Sequence, residues 1–110
     1  MRNLSLALAL LAPVAAGAQE APPFPNWPPR DECERQLRVL RSESAVILRG
    51  CLDHEDRAAA ELRAGWDAMP ARVRRECLRQ QGVLRMASYV ILKGCTENEL
   101  AALRDIERRR

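Results

Sequence analysis

The chain is poor in aromatic residues, with one Phe, one Tyr and two Trp in 110 residues. A core short of rings has to be filled by Leu, Ile, Val and Ala, a mixture that packs between helices better than between sheets. No segment alternates apolar and polar residues strictly enough to predict a strand. Histidine occurs once, as His54, and lysine once, as Lys93. Close cysteine pairs are missing as well: Cys33, Cys51, Cys77 and Cys95 are separated by 17, 25 and 17 residues. That spacing excludes a thioredoxin-like redox pair, which needs two intervening residues, and argues against a zinc site, whose cysteines come two to four residues apart. No apolar run reaches the roughly 20 residues that span a bilayer, so stable membrane insertion is not expected.

What is present begins with a leader. Arg2 precedes an almost purely apolar run from Leu4 to Ala12, and Ala16, Gly17 and Ala18 supply small residues. This is the three-part layout of a secretory signal peptide, residues 1–18, with cleavage expected after Ala18. The expected location is periplasmic or secreted. No cysteine stands at the cleavage point to carry a lipid anchor. Export into an oxidising compartment makes the four cysteines disulfide candidates, and a domain this small needs such staples. The formal net charge of +3 names no acidic partner, and 17 of the 18 basic residues are Arg. An exported chain without aromatic platforms is not expected to bind nucleic acid.

Residues 19–30 are rich in proline and read as an extended N-terminal linker, with folding starting after it. The segment Glu32 to Cys51 then overlays Glu76 to Cys95 at a constant offset of 44, with thirteen of twenty positions identical. The helical domain, 31–110, is therefore a tandem duplication with units at 31–65 and 70–109. Inside each unit the period is helical: Cys33, Leu37, Leu40, Ser44, Ile47 and Cys51 step by 4 and 3, which predicts one shared face. Pro70 suits the start of a helix near Ala71. Thr96 with Glu99 makes a candidate capping box, in competition with Ser88 as the N-cap of a helix running through Cys95.

Two geometries compete for the sulfurs. If each unit is one unbroken helix, its cysteines stand about 27 Å apart and must pair between units. If each unit bends at its middle, Cys33 meets Cys51 and Cys77 meets Cys95 across a helical hairpin. Gly82 favours a bend in the second unit, and Ser44 and Ser88 suit N-caps for the second arm, whereas the first unit has no Gly or Pro between Arg30 and Arg49. A unit that was copied whole is most simply one that carried its own bond, which favours local pairing.

Trp66, Asp67, Met69, Pro70, Arg72, Cys77, Ser88, Tyr89, Leu92 and Cys95 form a pattern that resembles small, exported, uncharacterised proteins of alphaproteobacteria. In single-copy members of that group the only two cysteines must pair with each other, so the resemblance implies the local bonds here. The first copy departs from it, with Ala45 in place of the aromatic and no glycine in its turn. Cys95, Glu99, Leu100, Leu103 and Asp105 are more faintly similar to the lysozyme-inhibitor-like periplasmic family of the LprI type, which implies a helical hairpin and a binding role.

No catalytic constellation is legible. His54 stands beside Asp53, Glu55 and Asp56 and is expected on the outer side of a helix start, with the acids complementing the helix dipole; the second unit has Asn98 at the matching position. The basic cluster Arg72, Arg74, Arg75, Arg79 and Arg85, and the terminal run Arg108 to Arg110, are interleaved with acids or close a helix, and are expected to be structural. The expectation is an all-α protein, two tandem disulfide-linked helical hairpins forming a small bundle. Its expected role is that of a non-enzymatic, inhibitor-like binding module without cofactor, whose partner is an envelope protein. The alternative is a metal-binding or thiol-active periplasmic protein using the four cysteines.

Overall fold

The computed structural model describes Asn3 and residues 20–110. Apart from Asn3, the leader expected at residues 1–18 and its expected cleavage site lie outside the described residues. Among the described residues four helices follow one another: α1 (Pro29–Leu40), α2 (Ala45–Gly65), α3 (Ala71–Leu84) and α4 (Tyr89–Arg108). Among the described residues there is no strand. The chain is all-α, two helical hairpins α1–α2 and α3–α4, each closed by its own disulfide.

Each hairpin is built by the same local chemistry. Pro29 opens α1, where its fixed φ fits and its missing N–H loses no bond, and Pro70 precedes α3 in the same way. The first arms end at Leu40 and Leu84 because the next residue, Arg41 or Arg85, adopts the left-handed conformation at φ 53°. That turns the chain so that the Ser42 and Met86 N–H groups reach back to the carbonyls of Leu37 and Gln81, each at 3.0 Å. Two residues further on, Ser44 and Ser88 cap the second arms, each accepting a 3.2 Å hydrogen bond from the N–H of Ile47 or Ile91.

Two expectations are corrected and one open choice is decided. Gly82 does not make the bend; it lies inside α3, and an arginine takes the left-handed position in both copies. The stepped series from Cys33 to Cys51 is not one face of one helix, since the turn at Arg41 splits it and leaves Leu40 and Ile47 exposed. Ser88 is the cap of α4, whereas Thr96 sits inside that helix with its hydroxyl donating to the Lys93 carbonyl at 2.9 Å.

The core lies where α2, α3 and α4 meet, with Ala58, Leu62, Trp66, Val73, Cys77, Tyr89 and Leu92 buried together. It is not purely aliphatic. Phe24 stacks on Tyr89 and meets Trp66 edge-on, both at 5.5 Å, and Trp27 tilts against Tyr89 at 5.1 Å. The few rings of the chain are thus gathered in one place, where each buries a large apolar surface. Two of them come from the proline-rich lead, which is docked between the end of α2 and the start of α4 and belongs to the fold. The Tyr89 hydroxyl donates to the Pro25 carbonyl and accepts from the Trp27 N–H, both at 2.7 Å, while the Trp66 indole donates to the Pro22 carbonyl at 3.0 Å. The Arg63 guanidinium lies over the Phe24 ring at 4.4 Å and covers it.

Candidate functional site

The hairpin tips are the first candidate surface. At offset 44, Val39, Leu40, Val46 and Ile47 are the same residues as Val83, Leu84, Val90 and Ile91, and all eight are exposed. Val39 and Val83 are 72% and 70% exposed, and Leu40 and Leu84 64% and 62%. Each arm of a tip thus places a pair of large apolar residues next to its turn, facing water. Single exposed apolar residues need no explanation, but the same four in the same place twice do.

The second feature is the seam between the hairpins. Glu55, on α2 and 1% exposed, accepts from the Ser88 hydroxyl at 2.5 Å and from the Tyr89 N–H at 2.7 Å, so that one carboxylate closes the N-terminus of α4. Gln81 holds the same turn from the other side, its amide donating to the Ser88 carbonyl at 2.6 Å. Glu32, also buried, belongs to the same seat, where the Ala87 N–H helps to favour its charged form. The tip of the second hairpin therefore sits in a groove of the first, between the start of α1 and the middle of α2.

The acids at the base of each hairpin are held by the same repeated triad. Arg35 donates to Glu32 at 2.6 and 3.0 Å and Gln36 adds a longer contact; Arg79 and Gln80 repeat this on Glu76. The Arg35 hydrogen bonds hold the Glu32 carboxyl below its ordinary range against the opposing effect of burial, with help from Gln36 and the Ala87 N–H. Arg79 first, then Gln80, holds Glu76 down at about 2. Glu76 is largely solvated, so that pair adds little to stability.

The four predicted cysteines are brought together in two local pairs, Cys33–Cys51 and Cys77–Cys95, with alpha carbons 5.8 and 5.7 Å apart. None is free. His54 is exposed, but it and the neighbouring acids lie in the middle of α2, between two and about three turns beyond its start, so the first-turn dipole argument does not apply to them. There His54 borders a groove of about 520 Å³ with Cys51, Gln36, Met86, Val90 and Ile91, beside the second tip. Of the basic cluster, Arg79 is tied to Glu76 and Arg74 approaches the Trp66 ring at 6.0 Å. The terminal arginines pair with Asp105 and Glu107. Among the described residues no group of three or more metal-capable side chains converges, and no helix is long and apolar enough to cross a membrane.

Neither Glu55 nor the exposed tips stand out in the sequence reading. The eight tip residues were visible as identities between the copies, and only their exposure separates them from core.

Fold and surfaces together define a disulfide-stapled tandem of helical hairpins with two like-built apolar tips. No family model matches the chain, and neither does any curated protein or solved structure.

Proposed function

We propose that this is an exported, non-enzymatic binding module of the bacterial envelope, which engages another envelope protein through its two apolar hairpin tips. The observation that carries the reading is the twin set Val39, Leu40, Val46, Ile47 and Val83, Leu84, Val90, Ile91, identical and exposed in both hairpins. Leaving such residues in water keeps them out of the core and risks aggregation, and a partner that covers them offsets both. Two local disulfides suit a protein that works in an oxidising compartment after removal of its leader. The likeness to small exported alphaproteobacterial proteins, and more faintly to the lysozyme-inhibitor-like family, belongs to the same reading. The metal or thiol reading has no observation in its favour, because zinc ligation and thiol chemistry need thiolates and all four sulfurs are bonded.

The test is chemical cross-linking in envelope extract with the native protein and with a variant carrying Val39→Ser, Leu40→Ser, Val83→Ser and Leu84→Ser. The native protein is expected to yield a defined cross-linked species that the variant loses while keeping its helical circular dichroism. Equal cross-linking by both, or none by either, would exclude the tips as the binding surface.

A further inference from the structure

We infer that the protein associates head to tail with further copies of itself, the tip of the first hairpin seating in an open groove of the next molecule's second hairpin. The template is the seam inside the molecule. There, the tip of the second hairpin presents the Ser88 hydroxyl and the Tyr89 N–H to Glu55, and the Ala87 N–H helps to favour the charged form of Glu32. Moving the receiving residues by 44 positions turns Glu32, Arg35, Glu55 and Leu62 into Glu76, Arg79, Glu99 and Ile106. Those four line an open groove of about 510 Å³ between α3 and α4. The same shift, applied backwards to the docked tip, gives Glu43, Ser44 and Ala45, with Ser44 capping α2 as Ser88 caps α4. One tip and one groove of the same design are thus left over.

They cannot meet within one molecule. Glu55 meets Ser88 and Tyr89, 33 and 34 residues on, and Glu61 meets Lys93, so α2 and α4 run parallel with a stagger that differs from the 44-residue repeat. The first tip therefore projects beyond the second by the eleven residues from Ser44 to Glu55, roughly 16 Å. The leftover groove lies further along α4, at the opposite end. A contact between unlike surfaces that does not close on itself propagates as an open row.

Where the leftover pair departs from the template, it departs on both sides at once. Ala45 stands in place of Tyr89, and Ala68, Ala71 and Arg110 stand 44 positions beyond Phe24, Trp27 and Trp66, so the ring and its aromatic slot are both missing. Glu43 replaces Ala87, and the open groove carries Arg72 and Arg75 where the filled one has Pro28 and Asp31. A buried nitrogen of Arg75 has no hydrogen-bond acceptor among the described residues. The seat that would receive an acidic tip is the one lined by arginines. Without the aromatic plug the contact is small, and a dissociation constant on the order of 0.1 mM is expected. Docking of this kind leaves Val83, Leu84, Val90 and Ile91 exposed in the internal seam, so a row would display its apolar tips side by side.

Sedimentation equilibrium tests this with the native protein and two variants that disable opposite ends: Glu43→Arg on the tip and Glu99→Arg in the groove, with Ile106→Arg as a second groove variant. The native protein is expected to show mass growing beyond the dimer with concentration. Each variant alone should stay monomeric, and a mixture of tip and groove variants should recover association that stops at one-to-one dimers. A native protein still monomeric at ~1 mM, a mixture that fails to associate, or a dimer that none of the substitutions weakens would overturn the proposal.

Discussion

The Glu55 carboxylate and the Ser88 hydroxyl lie 2.5 Å apart, and through that contact one hairpin caps the helix of the other. Because the same carboxylate also takes the Tyr89 N–H, the two hairpins are tied by the first backbone donor of α4.

Replacing Glu55 by Ala leaves a buried hydroxyl and a buried N–H without their acceptor. The expected loss is about 2–3 kcal/mol, a fall in melting temperature on the order of 10 °C, with Glu55→Gln intermediate. The equivalent change Glu99→Ala removes no such contact in an isolated molecule and should move the melting curve far less. Thermal denaturation of the three variants at low protein concentration reads the difference.

The docked lead gives a second expectation. Tyr89→Phe keeps the stacked ring but removes the hydroxyl that the Pro25 carbonyl and the Trp27 N–H share. A loss of about 1–2 kcal/mol is expected, together with faster proteolysis between residues 20 and 28 while the helices stay protected. Limited proteolysis followed by mass spectrometry measures it; unchanged cleavage of the lead would show that the hydroxyl does not hold it.

Gly82 offers a test in which stability rises. It has negative φ, lies inside α3, and an added β-carbon there meets nothing within 4 Å. Gly82→Ala should stabilise by up to about 1 kcal/mol. Gly at Arg41 or Arg85 should also stabilise, since each arginine holds a left-handed backbone that costs about 1 kcal/mol or more. A glycine hinge at 82 would give the opposite sign, and denaturant midpoints distinguish the two.

These positions show what the letters carried. The 44-residue offset located both hairpins, and the shared serines located the second caps, because caps and repeats are local. The turn was placed by arginine, and no residue type announces a left-handed arginine, so the reading leaned on Gly82. Phe24, Trp27, Trp66 and Tyr89 are isolated in the sequence, and their cluster spans as many as 65 positions, beyond the reach of any periodicity. The role of Glu55 depends on a stagger of 33 residues, which a repeat of 44 conceals.

Acid should act through Glu32. Its carboxyl titrates below the ordinary carboxylate range when folded, chiefly because of Arg35, so the unfolded chain holds that proton more tightly. The stability it contributes is full above about pH 4.3 and is lost as pH falls through the lowered folded value. Glu32→Gln should therefore lower the urea midpoint at pH 7 and flatten its decline toward pH 3. The solvated Glu76→Gln should change either by less.

The pairing of the sulfurs supports everything else, and non-reducing peptide mapping of the purified protein reads it directly. Cleavage after Arg and Lys should give Asp31–Arg35 joined to Gly50–Arg57, and Glu76–Arg79 joined to Gly94–Arg104, with no alkylated thiol. A peptide joining Cys33 to Cys77 or Cys51 to Cys95, or any cysteine recovered free, would contradict the account of two self-contained hairpins.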